Sequence, residues 1–138
     1  MLAPHDPLND AFLRGLPSGK YFCWGCTPNR KKTFTKIEEG DQILISENGS
    51  KLLKFVGIVS HKFPHADKSL ADHIWGSHHE YIMIIESVRE IAINKSDFVL
   101  KLYNNQDPLT SPRYIGRNDP DSLADWSRYN KIRGIYGL

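Results

Sequence analysis

Glu80-Tyr81-Ile82-Met83-Ile84-Ile85-Glu86 is the stretch on which the fold turns. Tyr81, Ile82, Met83, Ile84 and Ile85 form a continuous apolar run. It therefore predicts a central strand buried on both faces.

Outward from that strand, Asp67 to Trp75 has a helical pattern. Asp67 can cap the start, Leu70, Ala71, Ile74 and Trp75 share one side, and Gly76 can end it. Further upstream, Asp41–Ser46 and Leu52–His61 read as two strands joined at Asn48-Gly49, a strong hairpin signal. Thr33–Glu38 reads as a short helix ending at Gly40, and Thr27–Lys32 as a polar loop. Tyr21–Cys26 reads as the first strand, with Phe22 and Trp24 on one face and Tyr21 and Cys23 on the other. The lead-in, residues 1–19, carries Pro4, Pro7 and Pro17 and reads as irregular, with one helical turn around Asp10–Leu13.

Downstream, Glu90–Ile93 and Asp97–Tyr103 read as two further short strands split by a turn at Asn94–Ser96. Asn104–Pro120 reads as a long loop. Asp119-Pro120 then opens a final helix over Asp121–Lys131, with Leu123, Trp126 and Tyr129 or Asn130 inward. The fold class expected is α+β: a small, partly closed barrel of mostly antiparallel strands with short helices at its ends.

The chain's 138 residues suit one domain, and 40% hydrophobic with 25% charged residues is an ordinary globular balance. No window has the apolar length of a membrane span, and Met1–Gly19 lacks the pattern of a signal peptide, so a soluble, cytoplasmic protein with no membrane partner is expected. With 18 Lys+Arg against 16 Asp+Glu, the net charge of +2 does not by itself announce a nucleic-acid binder. Placement says more. Arg30, Lys31 and Lys32 are contiguous, and Arg113, Arg117, Arg128, Lys131 and Arg133 make the last quarter basic.

Motifs that would carry chemistry are incomplete. Cys23 and Cys26 have zinc-like spacing, but no second cysteine pair exists, and on a strand the two thiols face opposite ways. No metal or other cofactor is expected. His78-His79-Glu80 is the densest titratable cluster, yet no nucleophile elbow, paired-carboxylate pattern or phosphate loop accompanies it. The expectation is a binding domain with no catalytic residues. Three tryptophans, Trp24, Trp75 and Trp126, remain. Each can be core. Alternatively, some of them wall a pocket for a planar ligand.

The set Tyr21-Phe22-Cys23-Trp24-Gly25, a basic loop, Gly40-Asp41-Gln42-Ile43, Val56-Gly57-Ile58-Val59 and Leu70-Ala71-Asp72-His73-Ile74-Trp75-Gly76 resembles EVE domains of the PUA-like superfamily. The order and spacing look most similar to the N-terminal specificity domains of modification-dependent restriction enzymes of the McrB type. YTH domains are more distant. The resemblance covers residues 20–103, leaving 1–19 as lead-in and 104–138 as a loop plus C-terminal helix.

It implies a module that flips a modified, methylated base of double-stranded DNA into an aromatic pocket, with any cleavage or ATPase chemistry on another domain or subunit. Carried over residue by residue, Trp24 and Trp75 are candidate walls, Phe22 and Tyr81 flank them, and Asn29 is a candidate to contact the base edge or the backbone. Arg30, Lys31, Lys32, Arg113, Arg117 and Arg128 are candidates for the nucleic-acid backbone. Asp41 is read as fixing its turn. A methylated-RNA reader and a non-nucleic-acid ligand or protein-interaction domain are the alternatives. A base reader needs an open aromatic site beside a basic rim, an enzyme needs converging titratable groups, and a purely structural module needs neither.

Overall fold

A computed structural model describes residues 3–5, 21–46, 49–76, 78–103, 114–116 and 119–138. The architecture is α+β. Its strands are β1 (Ala3–His5), β2 (Tyr21–Cys26), β3 (Gln42–Ile45), β4 (Leu52–Lys62) and β5 (Tyr81–Asn94), and its helices are α1 (Lys31–Lys36), α2 (Lys68–Trp75), α3 (Lys95–Tyr103) and α4 (Leu123–Ile132). The strands form one sheet in the order β1-β2-β5-β4-β3. Among the described residues that order leaves β1 and β3 at the edges, and the sheet does not close into the partly closed barrel expected from the sequence.

β5 is central, as its apolar run predicts, and Ile82, Met83, Ile84 and Ile85 are all buried. It pairs antiparallel with β2 in a register that sets Phe22 opposite Ile85, Trp24 opposite Met83 and Cys26 opposite Tyr81. β1 pairs antiparallel with the other side of β2. This strand lies within the lead-in expected to be irregular. Pro4, which lacks the N–H an interior strand needs, is tolerated because β1 is an edge. The helical turn expected at Asp10–Leu13, Asn48 of the hairpin turn, and residues 104–113 of the long loop lie outside the described residues.

The chain divides into two compact units. The first is Met1–Ile43 with Gly57–Arg89. Its core joins Cys23, Ile82 and Ile84 of the sheet to Phe63 and to Leu70 and Ala71 of α2, with Ile74 and Trp75 packed against them. Burying the isoleucine, leucine and phenylalanine side chains among them contributes about 1.5–3 kcal/mol each, and this fixes α2 on the sheet. The helix ends as its sequence dictates. Asp67 accepts a hydrogen bond from the Leu70 N–H, and Gly76 closes the helix at φ 64° and ψ 28°.

The turn into β3 is set by Gly40 at φ 94°. Gly40 donates to the Val59 carbonyl while Val59 donates to Asp41, so two residues face one in a glycine bulge. The Asp41 carboxylate accepts from the Glu38 N–H at 2.8 Å, which is the turn-fixing role read from the sequence. Gly40 therefore serves this turn. The preceding helix α1 is capped instead by Ile37.

The second unit is Leu44–Val56 with Glu90–Leu138. Here two expectations are corrected. Glu90–Ile93 is not a separate strand but the end of β5, and Asp97–Tyr103 is helical, within α3. The Asn94 side chain accepts from the Asp97 N–H at 2.9 Å, as an N-cap does. Phe98, Val99 and Leu102 then bury one helical face. Phe98 and Leu102 pack with Leu53, Ile93 and Tyr129, against which Trp126 and Tyr136 also rest. α4 follows a turn of 3-10 helix at Pro120–Ser122, whose N-cap Asp119 accepts from Asp121. Tyr129 points inward as expected, whereas Leu123 is 52% exposed and Asn130 is also exposed.

Candidate nucleic-acid interface

Strand alternation divides the candidate residues between the two faces of β2. Cys23 belongs to the core that α2 covers, and any Cβ added at Gly25 would meet Trp75 Cζ3 and the His79 carbonyl, each at 2.7 Å. Cys23 and Gly25 of β2 thus face α2 and Trp75. Phe22, Trp24 and Cys26 face the opposite side, with their cross-strand partners Ile85, Met83 and Tyr81.

The two tryptophans proposed as walls of one pocket are therefore not brought together. Trp75 packs on the α2-side core, and its ring lies 5.8 Å from the His79 ring. Its indole N–H is buried and has no hydrogen-bond partner among the described residues. Gly25 is what lets Trp75 approach the sheet this closely. That contact gives a packing reason for the glycine after Trp24.

The other face gathers Phe22 and Trp24. Phe22 is 37% exposed, although it is flanked on the β5 side by fully buried neighbours, and Trp24 is half-buried. α1 lies over this same face. Phe34, its one buried residue, packs on Tyr81 with ring centroids 5.4 Å apart, and Tyr81 stands opposite Cys26. Tyr81 is thereby committed to holding α1, one cross-strand pair away from Trp24.

Arg30, Lys31 and Lys32 open α1. The two lysines are exposed and Arg30 is half-buried. Neither α1 nor the 3-10 turn Pro28–Arg30 before it has an acidic residue in its first turn. Asn29 is exposed, and its side-chain carbonyl accepts from the Thr27 hydroxyl, which leaves the amide NH2 as a donor.

Lys62 of β4 was not singled out by its sequence context, yet it anchors the whole arrangement. Its ammonium donates to the carbonyls of Phe34 and Ile37, each at 2.7 Å, and sits 4.7 Å from the Phe34 ring centroid. It thus adds a donor at the end of α1, to the Ile37 carbonyl and to the Phe34 carbonyl, which also accepts the Ile37 N–H. Burial pushes the Lys62 pKa down, with Glu38 and Asp41 opposing that shift. The one sequence signal for this anchor was Phe34, a lone large apolar residue in an otherwise basic and hydroxylated helix.

The remaining candidates lie elsewhere. The guanidinium of Arg128 donates to the Leu102 carbonyl and to Asp125, both at 2.6 Å, in the second unit. It ties α4 to the end of α3. Arg113 and Arg117 lie outside the described residues. Cys23 and Cys26 face opposite sides of the sheet, and burial pushes both thiols up to about 11. Among the described residues no group of three or more His, Cys, Asp or Glu is placed to hold a metal ion. No helix among them is long and apolar enough to cross a membrane. His79 is half-buried and its pKa is held below the ordinary 6.5 by burial, with His78 adding to the shift.

The chain matches no family model, no curated protein and no solved structure.

Proposed function

We propose that the chain is a nucleic-acid-binding module that reads a modified, methylated base, with Trp24 as its stacking surface and Arg30, Lys31 and Lys32 as its phosphate-facing rim. One observation carries this reading: the aromatic pair of β2 and the basic start of α1 lie on the same side of the sheet. A base reader needs a π-face for the base and local positive charge for the backbone, and net charge matters less than that juxtaposition. The resemblance to EVE domains points the same way, and a PUA-like relationship, with a modification-dependent restriction system as its setting, belongs to this proposal. Duplex DNA is the ligand proposed, and RNA is the alternative that the test separates.

The test is direct titration of short DNA and RNA oligonucleotides, with and without one methylated base, at two salt concentrations. Binding should favour the methylated DNA duplex and weaken as salt rises. Trp24→Ala should lose about 1–3 kcal/mol of binding while unfolding at the same temperature. Equal affinity for modified and unmodified duplexes would refute base reading, and preference for methylated RNA would move the assignment to the alternative.

A further inference from the structure

We infer that the base is held in a slot between Phe22 and Trp24, so that both walls come from one strand and Trp75 is no part of the site. The inference rests on the nucleic-acid reading above and goes on to name the second wall.

Phe22 and Trp24 are two residues apart on the same face of β2. A strand rises about 3.3 Å per residue, which spaces their attachment points by roughly 6.6 Å. Side chains stand nearly perpendicular to a sheet. Stacked bases repeat at about 3.4 Å along a strand, so a ring with a neighbour on each side needs roughly 6.8 Å between those neighbours. Two alternate residues of one strand therefore leave room for one planar ring and no more.

The surroundings favour this use. Met83 and Ile85, the cross-strand partners, are 0% and 2% exposed and give the slot an apolar side. Phe22, by contrast, is the exposed large hydrophobic side chain of the first unit among the described residues. The core does not bury it, although its immediate partner Ile85 is buried. Basic α1, on the same face, begins beyond the end of the strand that carries the slot. A base entering edge-on would leave its sugar-phosphate outside, within reach of that charge. Trp75 sits on the other face against Gly25 and His79, where no ring could be shared with Trp24.

The experiment compares five proteins, wild type, Trp24→Ala, Phe22→Leu, Phe22→Tyr and Trp75→Phe, each shown by thermal unfolding to be folded. Each is titrated with duplex and single-stranded oligonucleotides carrying one 5-methylcytosine or one N6-methyladenine. Phe22→Leu keeps bulk and hydrophobicity but removes the ring, and should weaken binding roughly 5- to 150-fold. Phe22→Tyr restores a ring and should restore affinity. Trp75→Phe should bind as wild type does. If Phe22→Leu binds as tightly as wild type while Trp24→Ala does not, the slot is wrong and the nucleic-acid reading survives. The slot is equally wrong, and the nucleic-acid reading equally intact, if folded Trp75→Phe loses binding. If the wild type binds none of these oligonucleotides at low salt, both fall.

Discussion

Gly25 shows how much one residue can decide. A Cβ there would press on the Trp75 ring and on the backbone carbonyl of His79, each at 2.7 Å. A backbone atom cannot move aside as a side-chain tip can, so Gly25→Ala should cost about 1–3 kcal/mol of stability, measured by urea unfolding. Unchanged stability would show that Trp75 is not held against β2. The cysteines permit a second prediction at this scale. Both thiols are buried and raised to about 11, so at neutral pH almost none is thiolate. Alkylation should be slow in the native protein and rapid in denaturant, and fast native labelling of Cys26 would contradict its place in the sheet. The faces of Phe22, Trp24 and Cys23 were legible from alternation alone. That Trp75 would dock on the face opposite Trp24 was not, because no local pattern states which side of a sheet a helix will cover.

At the scale of elements, α2 and β5 were legible for opposite reasons. Asp67 and Gly76 mark both ends of the helix with local chemistry, and Ile82–Ile85 mark the strand by length and unbroken hydrophobicity. α3 was misread because Phe98-Val99-Leu100 looks like strand, while the cap that starts the helix sits in a polar Asn-Lys-Ser stretch that resembles a turn. The spacing of Phe98 to Leu102 and of Asp97 to Lys101, which form an ion pair at 3.3 Å, was the helical signal available. Asn94→Ala should remove the acceptor for the Asp97 N–H and cost about 1 kcal/mol. Urea unfolding would check it, and no loss would mean that packing alone sets the helix start. For α1, the prediction concerns binding. Lys32→Ala should lower affinity for modified and unmodified oligonucleotides alike and reduce the slope of log affinity against log salt by about one. A change in base preference instead would mean that Lys32 reads the base.

At the scale of the whole molecule, β1 and the openness of the sheet lay beyond local reading. β1 is three residues long and is held by pairing with β2, so its strand character comes from its partner and not from Ala-Pro-His itself. Stability as a function of pH also belongs to this scale. His79 has a folded-state pKa below 6.5, so as pH falls through 6.5 the unfolded chain takes up its proton first. The folded state is then disfavoured, and stability should decline as pH falls through 6.5. His79→Gln should flatten part of that decline in thermal unfolding across the range, and an unaltered profile would assign the decline to other groups.

The central claim is that ligand binds on the β2 face that carries Phe22 and Trp24, under the basic start of α1. Ultraviolet crosslinking of a bound oligonucleotide with one methylated base, followed by mapping of the attached peptide, tests it without altering the protein. Crosslinks within residues 21–36 are predicted. Crosslinks centred on Trp75, or on Glu90–Leu138, would contradict it.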